Sequence, residues 1–404
     1  MNKRQKDQNK ASIGIVCFDT RYQSMTWHSE PSTDLHLNEH SEVSKERDVL
    51  NTLMTHRSRA GGPPRPKSQS KPPSSKSQPK TLNHPPSSSS SRPHAPSSPT
   101  TTSASSFFVS PTDPAILELI HQSLRSTLDS PTFLPAVQHI KSLLYDRRWL
   151  EVFGNETLLP TYVGRWVPSR ALCFRELLGS LSEVMEIFEG DDDGETRVIV
   201  SLGGGAGSEL IAIAALIHAQ AHRSSDNGKE RACFSWTGAD IGEWEPTLDL
   251  FSNALRSGWD LAEILSTTYT RGDLLSPSHA DLSELLTRSS PNLITLLFTL
   301  TELLSQSRPR TISLLRHLTK HTPPGCLFLV ADSASDLSSF EIGSEGRKWP
   351  VWMVLHAVLL GDGGGWETVG SEDSRWYRLP EGVGAGWPVK LENTRYWMRL
   401  YRRV

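Results

Sequence analysis

Five short apolar or β-branched runs divide the middle of the chain into segments. They span residues 198–202, 232–236, 266–270, 292–298 and 326–331. Runs of this kind predict strands, and the first run, which is mostly β-branched and apolar, is typical of a strand buried on both faces of a parallel sheet. Apolar residues between the runs recur at helical spacing, as in Leu210, Ile211, Ala214 and Leu216 after the first. We therefore expect an α/β fold with a doubly wound, Rossmann-like sheet.

Amphipathic segments outside the sheet predict further helices. Before the first strand, we expect a helix from Asp113, with Pro114 in its first turn, and another over residues 133–152. Pro168 and Ser169 can begin a third. After the second strand, a helix is expected over residues 248–265.

The last part of the chain is rich in aromatic and basic residues. The segment beginning at Lys348 predicts a helix, whereas residues 373–379 and 388–403 predict strands. We expect these two strands to close the sheet as an antiparallel pair. Interleaved aromatics and arginines can also stack on single-stranded RNA, provided that one face of the strands stays free.

Composition separates the first quarter of the chain from the rest. Residues 57–112 contain eight Lys or Arg and no Asp or Glu, in a background of Ser and Pro. Such a segment is predicted to be disordered, because it cannot bury enough apolar surface to offset its chain entropy. It is either a basic tail for RNA phosphates or nuclear targeting, or a linker with no further role. We predict a disordered tail at 1–109, a helical extension at 110–190 and the α/β domain at 191–404.

The sequence predicts neither membrane association nor a metal site. No apolar run reaches the length that spans a bilayer, so no membrane association is predicted. The four cysteines lie far apart without a C-x-x-C pair, and no metal site is predicted.

A glycine-rich turn follows the first predicted strand. Gly203, Gly205 and Gly207 form a G-x-G-x-G pattern at the start of the next helix. This turn places backbone N–H groups and a helix N-terminus beside a possible ligand. The pattern differs from a dinucleotide-binding fingerprint, which has Gly or Ala at the position of Ser208. It also lacks the lysine that follows the glycines of a phosphate-binding loop. The spacing instead resembles the S-adenosylmethionine (SAM) loop of class I methyltransferases, although a tight turn with no ligand remains the alternative.

Acidic residues follow several of the predicted strands. Asp240, Asp273, Glu302 and Asp332 are expected to face one crevice, because the carboxyl ends of parallel strands share one edge of the sheet. Asp240 has the position that binds ribose hydroxyls in nucleotide-binding folds, against the alternative of a chance loop aspartate.

Two arginines, Arg165 and Arg170, lie shortly before the α/β domain. Each is either a solvated residue or one paired with the acidic turn at 191–193, or it is a clamp for a ligand carboxylate.

Six motifs in order resemble one family. They are R-W-V-P-S-R-A-L at 165–172, L-G-G-G-A-G-S-E-L at 202–210, A-D-I-G-E-W at 239–244, L-F-T-L-T-E-L at 297–303, L-F-L-V-A-D-S at 327–333 and L-E-N-T-R-Y at 391–396. Together they resemble the fungal 25S ribosomal RNA (rRNA) uridine-N3-methyltransferases, which are SAM-dependent class I enzymes. Thr301 departs from the asparagine expected in the fourth motif.

The resemblance implies roles for particular residues. Gly203, Gly205 and Gly207 would approach the methionine portion of SAM, and Asp240 would bind its ribose. Asp273 and Leu274 would contact the adenine, and Arg165 or Arg170 the methionine carboxylate. Glu302 is the candidate base or orienting group of the acceptor pocket, with Asp332 as the alternative.

The resemblance also implies a biological setting. The expected activity is methylation of N3 of a uridine in large-subunit rRNA or a pre-ribosome, by a monomer in the nucleus and nucleolus. A SAM-dependent enzyme with a protein or small-molecule acceptor is the main alternative, since a fold does not determine function. A module without catalysis and an NAD-linked oxidoreductase are two further alternatives.

Overall fold

The computed structural model describes residues 111–189, 194–226, 232–335, 339–342, 347–361 and 363–404. Their strands in chain order are β1 (Arg197–Leu202), β2 (Phe234–Asp240), β3 (Leu265–Arg271), β4 (Leu293–Leu297), β5 (Leu327–Ser333), β6 (Ser339–Ile342), β7 (Arg347–Pro350), β8 (Trp366–Tyr377) and β9 (Thr394–Arg403). Seven of them form one sheet in the order β3-β2-β1-β4-β5-β9-β8, and β6 pairs with β7 separately.

The main sheet has a parallel part and an antiparallel edge. Strands β1 to β5 run parallel, β9 is antiparallel to β5, and β8 is antiparallel to β9. The five predicted parallel strands and the closing antiparallel pair are therefore confirmed. Strand β2 ends at Asp240, so this aspartate terminates the strand where the sequence predicted a position just beyond it.

Helices cover both faces of the sheet. They are α1 (Asp113–Ser123), α2 (Arg125–Leu128), α3 (Phe133–Tyr145), α4 (Trp149–Phe153), α5 (Leu159–Gly179), α6 (Ser182–Glu189), α7 (Ser208–Asp226), α8 (Glu245–Gly258), α9 (Ala280–Ser289), α10 (Leu300–Gln306), α11 (Arg308–His321) and α12 (Trp352–Leu359). Apolar side chains of α1 to α8 pack in one cluster on one face, and those of α9 to α12 pack in a second cluster on the other.

Two predicted helices are shorter than expected. The segment 133–152 divides into α3 and α4 because Arg147 has a positive φ of 57°, which is incompatible with a continuous right-handed helix. The segment 248–265 ends as helix α8 at Gly258, two residues before Asp260, whose φ is 52°. Residues 259–264 then connect α8 to β3.

The predicted helix start at Pro168 is wrong. Pro168 lies inside the 21-residue helix α5, which begins at Leu159 and has Pro160 in its first turn. An internal proline removes one backbone hydrogen bond and costs about 3 kcal/mol. Extensive burial offsets this cost, since α5 packs into the apolar cluster of α1 to α8 along most of its length. Consequently Arg165 and Arg170 lie on one continuous helix.

The predicted helix at Lys348 begins later. Residues 347–350 form β7, and α12 starts only at Trp352. Pro350 explains the delay, because a proline disfavours helical backbone at the residue before it.

The predicted tail at 1–109 lies outside the described residues. Among the residues that the structure describes, no helix is long and apolar enough to cross a bilayer.

Candidate active site

A cavity opens at the carboxyl ends of the parallel strands, where strand order reverses between β1 and β4. This position is the usual ligand site of doubly wound sheets. The cavity measures about 710 Å³ including its open mouth. Its lining residues are Phe153, Tyr162, Arg170, Phe174, Gly203, Ala206, Ser208, Glu209, Asp240, Ile241, Trp244, Asp273, Leu274, Leu297, Phe298, Thr299, Glu302, Leu303 and Gln306. Helices α4 and α5 thus supply part of the wall.

The glycine loop lies too close to its neighbours for side chains. At Gly203, where φ is 76°, a Cβ atom would lie 2.4 Å from Thr299 Oγ1. At Gly205 a Cβ atom would lie 2.0 Å from the Trp244 ring. Gly207 also has a positive φ, of 86°. Gly203 lines the cavity, whereas Gly205 and Gly207 are not among the lining residues and shape the loop around it.

Asp240 joins the glycine loop to the end of β2. Its carboxylate accepts hydrogen bonds from the N–H groups of Gly205 (3.1 Å to Oδ2) and Gly242 (3.2 Å to Oδ1). Burial raises the pKa of Asp240, and these hydrogen bonds oppose the rise. The carboxylate is therefore ordered in the cavity wall.

Asp273 and Leu274 also reach the cavity. Asp273 Oδ1 accepts the N–H of Leu275 at 2.8 Å, which fixes the turn after β3.

The two candidate arginines differ in location. Arg165 is buried in an ion pair with Glu392 and is not among the lining residues. Arg170 lines the cavity and donates to the Tyr162 hydroxyl at 2.7 Å. Only Arg170 is therefore placed to contact a ligand in the cavity. The suggested partner turn at 191–193 lies outside the described residues.

The two candidate acids near β4 and β5 also differ. Glu302, in the first turn of α10, lines the cavity and accepts a hydrogen bond from Gln306 at 3.1 Å. Burial, reinforced by the nearby Asp240, raises the pKa of Glu302 to about 8. Asp332 lies behind the wall, where it accepts the N–H groups of Thr301 (2.8 Å) and Ser333 (2.7 Å). Asp332 therefore anchors α10 to β5, and Glu302 is the acid that faces the cavity.

Glu209 is a cavity residue to which the sequence analysis gave no role. It stands in the first turn of α7, is buried, and lines the cavity. Its Oε1 atom has no hydrogen-bond partner among the described residues, and burial raises its pKa to about 8. Its position just after the glycine pattern was the sequence feature that could have indicated a place in the cavity. A buried acceptor without a partner indicates a ligand donor.

The cavity is acidic. Glu209, Asp240, Asp273 and Glu302 line it together with one basic residue, Arg170. A ligand that carries positive charge would relieve the mutual repulsion of these carboxylates. SAM has a sulfonium and an ammonium group, one carboxylate, a ribose and an adenine. The acidic wall, the single arginine and the close glycine loop fit that set of groups.

The sheet order, the glycine loop and the cavity at the switch point together define a class I methyltransferase fold. A family model described as a putative SAM-dependent methyltransferase matches residues 120–402, and the chain belongs to this family.

One curated relative is the 25S rRNA (uridine(2843)-N(3))-methyltransferase of Saccharomyces cerevisiae. It is 29% identical over 285 residues, which cover 66% of this chain and 76% of the yeast protein.

Solved structures share less similarity with the chain. An O-methyltransferase family protein from Burkholderia thailandensis has 13% identity and a TM-score of 0.37, covering 67% of this chain and 72% of its own. An O-methyltransferase family 2 protein from Planctomyces limnophilus, in complex with apigenin, has 13% identity and a TM-score of 0.32. It covers 70% of this chain and 66% of its own.

Proposed function

We propose that the protein transfers the methyl group of SAM to N3 of a uridine in large-subunit rRNA. The similarity to the yeast uridine-N3-methyltransferase over three quarters of that enzyme carries the choice of substrate. The cavity supports it, because an acid at its wall can accept the proton that leaves N3.

The residues that would hold SAM follow from the cavity wall. Gly203, with the backbone of Gly205 and Gly207, leaves room for the methionine portion, and Arg170 would pair with its carboxylate. The unpartnered Oε1 of Glu209 would accept from the ammonium group. Asp240 would accept from the ribose hydroxyls, and Asp273 and Leu274 would contact the adenine. When bound, SAM supplies a methyl group on a positively charged sulfur.

The acceptor base must be unpaired, because N3 lies on the Watson–Crick edge of uridine. Phe153, Tyr162, Trp244 and Phe298 give the cavity aromatic walls against which a flat base can pack. Orientation in such a site supplies much of the acceleration in group transfer.

Glu302 is the proposed proton acceptor. The N3–H bond breaks as the new N3–methyl bond forms, and the proton moves to the Glu302 carboxylate. Glu302 must be ionised for this step. Its pKa of about 8 places ionisation near neutral pH, and the positive charge of SAM would lower that pKa and favour the ionised form. Asp332 would act indirectly, by holding the backbone of Thr301 beside Glu302.

The proposed setting follows from the same substrate. The acceptor would be large-subunit rRNA or a pre-ribosome, and a monomer would act in the nucleus and nucleolus. A basic tail at 1–109 would add affinity for RNA phosphates independent of sequence.

The decisive experiment is methyl transfer from labelled SAM to large-subunit rRNA that lacks its own modification, followed by digestion to nucleosides. Label in 3-methyluridine is expected, with strongly reduced label from the Asp240→Asn variant at a limiting SAM concentration. Label in another nucleoside would refute the uridine assignment while leaving the SAM site intact. SAM binding with no transfer to RNA would instead favour a protein or small-molecule acceptor, or a module without catalysis.

A further inference from the structure

An exposed tryptophan, Trp376, lies on the edge strand β8, and two arginines lie beside it, one on β9 and one just after β8. Trp376 is 49% exposed and pairs across the strands with Arg395. The guanidinium of Arg378 lies 5.2 Å from the centroid of the Trp376 ring, and that of Arg395 lies 5.9 Å away. We call these three residues the Trp376 cluster.

Trp376 is more exposed than the other aromatic residues of β8. The next residue, Tyr377, points to the opposite face of the sheet. It is buried in the apolar cluster that contains side chains of helices α1 to α8. About half of the Trp376 side chain, by contrast, is open to solvent and is available to a partner.

The two arginines of the cluster carry uncompensated charge. Among the residues that the structure describes, no carboxylate forms an ion pair with Arg378 or Arg395. Arg395 Nε donates to Ser374 Oγ at 2.9 Å, which orients its guanidinium and leaves its terminal N–H groups available. Other arginines of β8 and β9 are paired, as Arg375 is with Glu176 and Arg402 with Glu367. The cluster is thus a local positive charge over a half-exposed aromatic ring.

The cluster lies near the carboxyl ends of the parallel strands, which is the end of the sheet where the cavity opens. The Ala334 N–H, just beyond β5, donates to the Arg395 carbonyl at 3.2 Å, and Asp332 pairs in register with Trp397. Trp376 is two strand spacings from β5 and two residues beyond the level of Asp332. Strand geometry places its backbone about 12 Å from that of Asp332, which in turn anchors the helix that carries Glu302.

We propose that the Trp376 cluster is a docking platform for single-stranded RNA, where one unpaired base next to the target stacks on Trp376 and arginine N–H groups contact its phosphates. Stacking on an exposed aromatic ring is tolerant of sequence, and flanking arginines provide the electrostatic attraction. This inference rests on the proposed function in assuming an RNA acceptor. It adds a contact outside the SAM and acceptor cavity.

The test is equilibrium binding of the full chain to a short fluorescein-labelled oligouridylate. We expect Trp376→Ala to weaken binding about tenfold, and Trp376→Phe to retain most of the affinity because it keeps a stacking surface. The double variant Arg378→Gln/Arg395→Gln should weaken binding and flatten its dependence on salt. Tyr145→Ala is the matched control, since Tyr145 is an aromatic residue 88% exposed on α3, and its affinity should equal that of the unchanged protein.

SAM affinity, measured by calorimetry, serves as the check on folding and should be the same in all these variants. Oligouridylate binding by Trp376→Ala equal to that of the unchanged protein would overturn the platform and favour a protein segment as its occupant. Absence of oligouridylate binding by the unchanged protein would overturn it as well. Methyl transfer to uridine is scored separately: its failure with Trp376-dependent RNA binding intact would refute the proposed function and leave the platform standing.

Discussion

At the scale of single residues, the acidic side chains in and behind the cavity wall differ in their hydrogen-bond partners. Asp240 and Asp332 each accept two backbone N–H groups, which orders their carboxylates. Glu209 has an oxygen with no partner among the described residues, and Glu302 is bonded only through Gln306 at the cavity surface. Glu209 and Glu302 can therefore bind a ligand or move a proton without giving up a backbone hydrogen bond.

Asp240→Asn separates ribose binding from loop structure. The asparagine oxygen can still accept one backbone N–H, so the loop should keep its shape, while the charged acceptor for the ribose is lost. A hydrogen bond to a charged group contributes about 1.5–3 kcal/mol, so SAM affinity should fall about 10- to 100-fold in calorimetry. Asp249→Asn, on the exposed side of α8, is the control and should bind SAM normally. Unchanged affinity in Asp240→Asn would refute the ribose assignment.

Glu302→Gln tests the proton acceptor. The amide keeps the size of the side chain but cannot take a proton, so the methyl-transfer rate should fall at least about 100-fold while SAM affinity changes little. In the unchanged protein the rate should rise with pH as Glu302 ionises, with the midpoint of the rise at or below about pH 8 and a plateau above it. Glu284→Gln, exposed on α9, should leave the profile unchanged. A Glu302→Gln enzyme with the same rising limb would assign the titration to another group.

At the scale of elements, helix α5 connects the N-terminal helices to the cavity. Its residue Gly164 faces α2 and α3, where a Cβ atom would lie 2.9 Å from Leu128 Cδ2 and 3.0 Å from Phe133 Cε2. Its carbonyl accepts the indole N–H of Trp387 at 2.9 Å. The same helix carries Tyr162 and Arg170 into the cavity wall, so packing at Gly164 helps to position those side chains.

Gly164→Ala should destabilise the protein by about 1–3 kcal/mol, because the added methyl group overpacks the contact with α2 and α3. The Gly179→Ala variant of the same helix is the matched control. There the new Cβ would meet Leu216 Cδ2 at an ordinary 3.5 Å. Higher helix propensity should make that variant neutral or more stable by up to about 1 kcal/mol. Denaturant unfolding of the two variants compares them directly, and equal stabilities would contradict the packing argument.

At the scale of the whole molecule, the parallel sheet and its edge of acids were predictable from sequence. Apolar runs in the sequence predict the strands. Because parallel strands end at the same side of the sheet, the sequence also predicts that Asp240, Asp273 and Glu302 lie together, although it shows none of their contacts. Local helix boundaries were less predictable, since burial of α5 overrides the helix-breaking tendency of Pro168.

Long-range contacts explain what the sequence left open. Arg165 and Arg170 are five residues apart, so they point about 140° apart around α5. Which one faces the cavity depends on Glu392, more than two hundred residues away in the chain, which pairs with Arg165. The burial of Glu209 depends in the same way on side chains from distant elements.

The buried acids also make the stability of the ligand-free protein depend on pH. Glu209 and Glu302 have pKa values near 8 in the folded protein, above the ordinary value of 4.5 that applies on unfolding. The unfolded chain therefore releases these protons first as pH rises. The free energy of unfolding should be highest below about pH 4.5, as far as these two groups determine it, and decline until about pH 8. A denaturant series across this range would measure the decline.

The Glu209→Gln/Glu302→Gln variant assigns that decline to the cavity. It should lose less stability between pH 5 and pH 8 than the unchanged protein does, because its amides do not ionise. SAM should counteract the decline in the unchanged protein, since positive charge in the cavity favours the ionised carboxylates that burial disfavours. A double variant with the same pH dependence as the unchanged protein would place the responsible groups elsewhere. It would also remove the electrostatic reason for expecting a cationic ligand in this cavity.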